Sequence, residues 1–218
     1  MPPSPNPITL SRLTSGDNRI YLASRSPRRR ELLKQIGVPF ELLLLRQDLR
    51  RGADVDETPL PDESPGVYVL RIAGAKANTA VRQIAYRGLP QKPVLAADTT
   101  VVFDDQIIGK PQNGQDAARL LRALSGRQHQ VLTAVAVALR DQVETQISVS
   151  SVWFHELTDA DIRGYVATGE PLDKAGAYAI QGRGGALVTR ITGSYSGIMG
   201  LPLAETVELL KRFDIPLW

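Results

Sequence analysis

The sequence predicts an α/β protein, because short apolar strands alternate with amphipathic helices along most of its length. A strand at 20–23 is followed by a helix that ends at Gly37. The longest apolar strand, 93–103, follows a second helix, and two β-rich runs, 128–139 and 142–154, follow a third and form a long hairpin. The chain has 218 residues, which is enough for one large domain or for two lobes that share one sheet.

The first helix has the features of an anion-binding site. Ser26 is predicted as its N-cap, with Pro27 at the first helical position. Three arginines, 28–30, then fall in the first turn, where cations oppose the helix dipole and repel one another. Free N–H groups at a helix N-terminus attract anions, so this cluster and Ser24 favour a phosphate chain as ligand. Solvated arginines on an exposed turn are the alternative interpretation.

Apolar spacing, caps and turn signals predict the other elements. Residues 40–45 predict a second strand that is largely buried. Ser64 and Pro65 predict the start of the second helix, and Thr158 with Asp161 predicts a capping box at the start of a later one. Further helices are predicted at 113–125, 158–169 and 203–213, a strand at 186–191 and a loop at 194–200.

Two charged features near the second helix allow a structural or a functional interpretation. The connector 46–62 contains Asp54, Asp56 and Glu57. Such a run is usually a solvated acidic loop. Because it follows a phosphate-like site, a metal or base role is the alternative interpretation. Lys76 lies next to the apolar stripe of the helix, where a lysine is more often a surface residue than a ligand.

Asp98 interrupts the apolar run at 93–103 and is the leading catalytic candidate. A buried carboxylate is costly unless it is paired or bound to metal, and sequences accept this cost mainly at functional sites. A structural aspartate in a salt bridge is the alternative. Asp104 and Asp105 predict a hairpin turn after this strand. Lys110, between a glycine and a proline, would give a well-placed charge for phosphate.

The segment 170–185 is dense in glycine and other small residues, a composition that lets backbone approach a ligand closely. Within it, Asp173 and Lys174 are interpreted as a simple ion pair, which alone contributes little. The two histidines, His129 and His155, flank strand ends and are expected to be structural.

Composition excludes several classes of function. The absence of cysteine excludes disulfides and thiol catalysis and fits a reducing compartment, so we expect the cytoplasm. Two histidines are too few for a histidine-rich metal site, so any metal would be a hard cation held by carboxylates and phosphate. The 26 basic and 23 acidic residues are too balanced to indicate nucleic-acid binding across a whole face. No apolar stretch approaches the roughly 18 residues of a membrane span.

Residues 1–19 are rich in Pro, Ser, Thr and Asn and lack the pattern of a secretory signal. We expect this segment to be a flexible N-terminal extension. The P-loop, dinucleotide-binding, GxSxG and HExxH motifs are absent from the whole sequence.

Several segments, taken together and in order, resemble the Maf family of nucleotide pyrophosphatases. They are LASRSPRRRELL, VDET, ESPGVYVLRIAGAKA, ADTTVVFDDQIIGKP, LSGRQHQVLTAV, GEPLDKAGAYAIQGRGG and SYSGIMGLPLAET. The resemblance implies one two-lobed α/β domain over 20–218, built around a long curved mixed sheet and similar to inosine triphosphate pyrophosphatases. It implies that a nucleoside triphosphate binds in the cleft and is hydrolysed to monophosphate and pyrophosphate with Mg²⁺ or Mn²⁺. It also implies a homodimer.

The family motifs imply roles for individual residues. Asp98 resembles the general base that activates water, and Glu57 resembles a carboxylate on the metal side of the cleft, where Asp98 is also a ligand. The residues that resemble the triphosphate-binding set are Ser24, Arg28, Arg29, Lys76 and Lys110.

Three positions resemble the subgroup that acts on dTTP and UTP, namely Arg28, Thr99 and Gln181. The neutral amide of Gln181 can pair with the donor and acceptor edge of uracil or thymine. A subgroup acting on 7-methyl-GTP tends to have a tryptophan, a glutamine and a glutamate at these positions. The alternatives are therefore a 7-methyl-GTP pyrophosphatase or a non-catalytic nucleotide-binding regulator of cell division.

Overall fold

The computed structural model describes residues 18–46 and 54–217, so nearly all of the predicted extension at 1–19 lies outside the described residues. Within these ranges the chain forms seven strands, six α-helices and three short 3₁₀ helices. The strands are β1 (Ile20–Leu22), β2 (Phe40–Leu42), β3 (Val94–Phe103), β4 (Gln106–Ile108), β5 (Gln128–Leu139), β6 (Gln142–Phe154) and β7 (Val188–Thr192). The α-helices are α1 (Pro27–Gln35), α2 (Pro65–Tyr86), α3 (Gly114–Leu124), α4 (Asp159–Ala167), α5 (Tyr195–Met199) and α6 (Leu203–Arg212). The 3₁₀ helices are Glu170–Asp173, Ala175–Ala177 and Arg183–Leu187.

The described strands form one mixed sheet in the order β2-β1-β3-β5-β6-β7, with β4 paired to β3 beside this path. β1 pairs in parallel with β2 and with β3, whereas the other neighbouring strands pair antiparallel. Parallel neighbours need a crossover connection. The connection from β1 to β2 contains α1, and the chain then passes through α2 to reach β3 on the other side of β1. The predicted α/β class with a mixed sheet is confirmed.

One edge of β3 is open in its middle. β1 pairs with β3 only as far as Leu95, and β4 pairs with it only from Val101. Among the described strands, residues 96–100 therefore have no neighbour on this side, although β5 pairs with them on the other. Successive side chains of a strand point to opposite faces, so a cleft at this gap can receive both Asp98 and Thr99.

Apolar clusters cover both faces of the sheet. On one face, small residues such as Ala96 pack against α2. The opposite face carries two clusters, one formed with α1 and α6 around Leu95 and one formed with α3 and α4 around Val101. Thr99 lies between them on the same face of β3, so the two clusters form the interiors of two lobes that share β3 and β5. The extent of this domain, 20–218, stays a prediction.

Two local sequence signals are confirmed. Asp104 and Asp105 have φ angles of 49° and 59° and form the turn between β3 and β4. The Thr158 side chain accepts a hydrogen bond from the Asp161 backbone, and the Asp161 carboxylate accepts one from the Thr158 backbone. This is the predicted capping box at the start of α4.

Two predicted strands differ from the observed ones. The strand predicted at 40–45 ends at Leu42, and it lies at the edge of the described sheet, where β1 is its neighbour. Leu42 and Leu44 are both 44% exposed, so the segment is less buried than predicted, because an edge strand is covered on fewer sides. The strand predicted at 186–191 begins at Val188, because a 3₁₀ helix occupies the residues before it.

The loop predicted at 194–200 is wrong, because it contains helix α5. The Ser194 side chain caps this helix by accepting a hydrogen bond from the Gly197 N–H at 2.9 Å. On β5, the buried Thr133 hydroxyl donates to the Gly197 carbonyl at 2.7 Å, and its oxygen lies 3.0 Å from the Thr99 hydroxyl oxygen. These polar contacts connect β3, β5 and α5 between the two lobes.

We expect Thr133→Val to lower the free energy of unfolding by about 1–3 kcal/mol, because it leaves a buried carbonyl without its donor. Urea unfolding measures this change. Thr145→Val, at an exposed position of β6, is the matched control and should stay within about 0.5 kcal/mol of the wild type. Equal destabilisation by both substitutions would contradict a bonding role for Thr133.

Candidate active site

One cleft contains all of the predicted site residues. It has a volume of about 580 Å³ and lies at the gap in the edge of β3. These residues are far apart in sequence and converge because the ends of β1 and β4 meet the open part of β3 here. The lining includes Ser24, Arg28, Arg29, Glu57, Lys76, Asp98, Thr99, Lys110 and Gln181.

The turn between β1 and α1 forms one wall of the cleft. The Ser24 hydroxyl accepts a hydrogen bond from the Ser26 N–H at 3.2 Å, which stabilises the turn into the helix. Ser26 occupies the predicted N-cap position, but its side chain makes no capping hydrogen bond. Within the described part of the chain, the Arg28 side chain makes no hydrogen bond or ion pair, so its charge is available to a ligand.

Arg29 points into the protein and connects three elements of the cleft. Its Nε donates to the Gly200 carbonyl at 2.7 Å, and its Nη1 donates to the Ala97 carbonyl at 2.8 Å. It also donates to the hydroxyls of Ser24 at 3.3 Å and Thr99 at 3.1 Å. Burial lowers the pKa of Arg29 from its ordinary value. Arg29 therefore directs its donors largely at protein acceptors, and the Thr99 hydroxyl belongs to the same network.

Asp98, Lys76 and Glu57 form a charged cluster in the cleft. The Lys76 ammonium lies 2.7 Å from Asp98 Oδ1 and 2.8 Å from Glu57 Oε1. The Lys76 and Asp98 side chains are only 13% and 12% exposed, whereas Glu57 is 45% exposed. The interpretation of Lys76 as a surface lysine is wrong, because its ammonium pairs with carboxylates inside the cleft. Asp98 is salt-bridged, as one interpretation held, and it also lines the cleft.

Tyr68 fixes the loop that carries Glu57. Its hydroxyl donates to the Glu57 backbone carbonyl at 3.0 Å. Burial, together with the negative charges of Asp98 and Glu57, raises the pKa of Tyr68 to about 12. The phenol therefore stays protonated at neutral pH and keeps its role as a donor.

Two further lysines add positive charge to the cleft. Lys110 follows β4, and its exposed side chain makes no hydrogen bond or ion pair within the described residues. Lys174 pairs with Asp173, and its side chain is only 13% exposed. The Gly176 N–H donates to the Gly109 carbonyl at 3.2 Å, which holds the segment after Lys174 against the segment before Lys110.

The Gln181 loop, residues 179–185, borders the cleft, and Ala179, Ile180 and Gln181 line it. The Gln181 side chain is exposed and forms no hydrogen bond with other described residues. Just before the loop, the Tyr178 hydroxyl lies 2.9 Å from Nε2 of the buried His129. Burial lowers the pKa of His129 to about 4, so this ring is neutral at physiological pH and acts as a packing group.

Two carboxylates of the cleft could hold a divalent metal. Among the described residues no group of three or more His, Cys, Asp or Glu side chains has the arrangement of a metal site. Glu57 and Asp98 nevertheless lie close enough to share one cation, which in this structure is the Lys76 ammonium. Mg²⁺ commonly uses one or two carboxylates and completes its coordination with phosphates and water, so this donor set fits such an ion.

Tyr68, Lys174 and Tyr178 are among the cleft-lining residues that the sequence does not predict as site residues. Tyr68 precedes Lys76 by about two helical turns, a spacing that places both on one face of α2. The sequence predicts only an ion pair of Lys174 with Asp173, because the low exposure of Lys174 depends on tertiary packing. Tyr178 has no local signal apart from its place in a glycine-rich segment.

No helix in the ranges 18–46 and 54–217 combines the length and apolar character needed to cross a membrane.

Several known proteins that share one name match this chain over nearly its whole length. The chain is 53% identical over 203 residues to a "dTTP/UTP pyrophosphatase" of Nitrosomonas europaea, covering 93% of this chain and 98% of the relative. It is 57% identical over 200 residues to a protein of the same name from Aromatoleum aromaticum, covering 91% and 97%. A relative of that name from Pasteurella multocida is 50% identical over 206 residues, covering 93% and 99%.

The solved structure of the Staphylococcus aureus Ham1 protein matches with a TM-score of 0.47 and 16% identity, covering 90% of this chain and 97% of that one. This similarity is too low to assign a fold by itself. The family model described as "Maf-like protein" matches residues 19–213, nearly all of the described chain. The chain therefore belongs to the Maf family.

Proposed function

We propose that this protein hydrolyses dTTP and UTP to the nucleoside monophosphate and pyrophosphate. The observation that carries the proposal is the arrangement of Asp98, Lys76 and Glu57 in a cleft that also presents unpaired cations. Full-length relatives at 50% to 57% identity with the name dTTP/UTP pyrophosphatase support the same activity and the same substrates.

Three cations suit the binding of a triphosphate. Arg28 and Lys110 make no hydrogen bond or salt bridge with other described residues, and Lys174 forms a salt bridge with the exposed Asp173. Ser24 adds a hydroxyl on the same wall. Positive groups that are fixed around a phosphate chain bind the substrate and stabilise the charge that develops on departing pyrophosphate.

Asp98 is the proposed general base. Its Oδ1 accepts a hydrogen bond from the Lys76 ammonium. This bond fixes the carboxylate and leaves the second oxygen to take a proton from water. The activated water attacks the α-phosphorus, the α–β anhydride bond breaks, and pyrophosphate departs toward the cations. Since Lys76 contacts both carboxylates, it orients Asp98 and Glu57 relative to each other.

A divalent metal, Mg²⁺ or Mn²⁺, would be held by Glu57 and Asp98 together with phosphate oxygens of the substrate. It would neutralise phosphate charge and so favour attack at phosphorus. With substrate bound, the Lys76 ammonium could donate to the two carboxylates or to phosphate oxygens.

Selection of the base is proposed for Arg28, Thr99 and Gln181. The exposed Gln181 amide offers both a donor and an acceptor to a pyrimidine ring. Thr99 acts indirectly in this proposal, because its hydroxyl is bound to Arg29. The relatives' names favour dTTP and UTP over 7-methyl-GTP. A homodimer and a cytoplasmic location stay predictions of the family resemblance and of the cysteine-free composition.

Pyrophosphate release from dTTP, UTP, CTP, GTP and 7-methyl-GTP, each with Mg²⁺ or Mn²⁺, tests the substrate. We expect dTTP and UTP to be preferred, because Gln181 matches the edge of uracil and thymine. A preference for 7-methyl-GTP would keep the enzyme class and refute the base assignment. No release from any nucleotide would refute the enzyme and favour a nucleotide-binding regulator.

Asp98→Asn should lower kcat by at least about 100-fold, since an amide cannot serve as the base. Nucleotide binding, measured by calorimetry, should be largely retained. Asp141→Asn, in the exposed turn between β5 and β6, is the matched control and should be as active as the wild type. Unchanged turnover in Asp98→Asn would exclude this residue as the base.

Arg28 and Arg29 should differ in what their loss affects. Arg28→Ala should raise KM for nucleotide about tenfold or more, through loss of a charged contact, with little change in stability. Arg29→Ala should lower the free energy of unfolding by about 2 kcal/mol or more, because it leaves buried acceptors without donors. Urea unfolding and steady-state kinetics on both variants measure this difference, and the reverse pattern would refute the division of roles.

A further inference from the structure

The Gln181 loop, residues 179–185, is held from outside the cleft by one carboxylate. Glu170 Oε1 accepts hydrogen bonds from the Gly184 N–H at 2.9 Å and from the Tyr165 hydroxyl at 2.8 Å. Glu170 Oε2 accepts from the Arg183 N–H at 3.0 Å. Three donors therefore converge on this side chain, and two of them are backbone groups of the loop.

Tyr165 connects the other end of the loop to the same carboxylate. Its hydroxyl donates to Glu170 and accepts from the Ala179 N–H at 3.2 Å. Tyr165 lies on α4 and is buried, with only 7% exposure. The loop is thus tied at Ala179 and at Gly184 to one anchor, which consists of the buried Tyr165 and the partly buried Glu170.

The loop backbone approaches the anchor closely at two glycines. A Cβ atom built on Gly182 would lie 2.4 Å from Glu170 Oε2, and one built on Gly184 would lie 2.5 Å from the Tyr165 hydroxyl. A side chain at either position would displace the Glu170 carboxylate or the Tyr165 hydroxyl, so glycine permits this close approach. A change in the carboxylate must therefore move the loop or lose its hydrogen bonds.

Charge favours the same arrangement. Burial acts to raise the pKa of Glu170. The Gly184 N–H, the Tyr165 hydroxyl, the Arg183 N–H and the charge of Lys174 together hold that pKa below its ordinary value. The ionised carboxylate offers only acceptor sites, which matches three donors. A glutamine amide at position 170 would direct its own N–H at one of these three donors.

Gln181 lies between the two tied ends. Its exposed side chain lines the cleft and has no hydrogen bond to other described residues, so its direction depends on the backbone that carries it. Neither Glu170 nor Tyr165 lines the cleft. A residue that never touches the nucleotide can therefore determine where the Gln181 amide meets it.

We propose that Glu170 is a positioning residue for Gln181, with Tyr165 as its partner, and that it controls selection of the pyrimidine base. The proposal rests on the proposed function, because it requires that Gln181 contacts the base of the substrate. It assigns a role in selectivity to a carboxylate outside the cleft and leaves the chemistry to Asp98.

Glu170→Gln should reduce the preference for UTP over CTP, given as the ratio of their kcat/KM values, about tenfold. The loss should come from a higher KM for UTP, with kcat nearly unchanged, because the reacting groups are untouched. Glu208→Gln on α6, which removes the carboxylate that pairs with Arg212, is the matched control and should keep the wild-type ratio. A wild-type ratio in folded Glu170→Gln would overturn the proposal.

A double-mutant cycle tests whether Glu170 acts through Gln181. In a Gln181→Ala background, Glu170→Gln should change the UTP-to-CTP ratio no further, because the group that it positions is already gone. An equal additional loss in that background would show an effect independent of Gln181 and would also overturn the proposal.

Tyr165→Phe and amide hydrogen exchange keep the test decisive if Glu170→Gln folds poorly or if the proposed function fails. The phenylalanine variant removes one donor from Glu170 and the acceptor of the Ala179 N–H, so it should reduce the ratio in the same direction. Exchange at residues 179–185 should become faster in both variants, and this readout needs no turnover.

Absence of pyrophosphate release from any nucleotide refutes the proposed function alone. Unchanged exchange in a folded variant refutes the positioning role alone.

Discussion

The cleft depends on the guanidinium of Arg29 at the open edge of β3. A strand edge without a neighbour leaves backbone acceptors that must be satisfied, and Arg29 donates to the Ala97 carbonyl there. The same side chain binds the Gly200 carbonyl after α5 and the Thr99 hydroxyl. Because the guanidinium is planar and rigid, it fixes α1, β3 and the end of α5 relative to one another. This contact therefore stabilises the borders of the gap.

Charge is distributed in two ways within the cleft. Near β3, Lys76 lies between Asp98 and Glu57, so each carboxylate has a counter-charge at less than 3 Å. At the border, Arg28 and Lys110 have no such partner among the described residues. The largely buried pair of Lys76 and Asp98 keeps its geometry, whereas free cations gain most from an incoming anion. The arrangement thus separates the group that must be precisely oriented from the groups that attract the substrate.

The sequence predicted the elements whose signals are local. The Asp104–Asp105 turn and the Thr158 capping box are built from neighbouring residues, and Asp98 stood out because a carboxylate interrupts an apolar strand. The sequence could not predict the inward direction of Lys76, because its partners are separated from it by about twenty residues and meet it only through α2 packing on β3. Similarly, Arg28 and Arg29 are adjacent arginines with no local signal that separates them. Only the tertiary contacts of Arg29, such as those with the Ala97 and Gly200 carbonyls, distinguish the two.

The residues proposed for catalysis and those proposed for base selection differ in the same way. Asp98 and Lys76 stand on a central strand and a long helix, where a shift of either would disturb a packed core. Gln181 stands on a short loop whose backbone is fixed by Glu170 and Tyr165 while its own side chain is exposed. Under the proposed function, a substitution at 181 therefore changes the groups presented to a base without affecting the core or Asp98. Selectivity can vary on such a scaffold while the chemistry stays constant, provided that the anchor outside the cleft is kept.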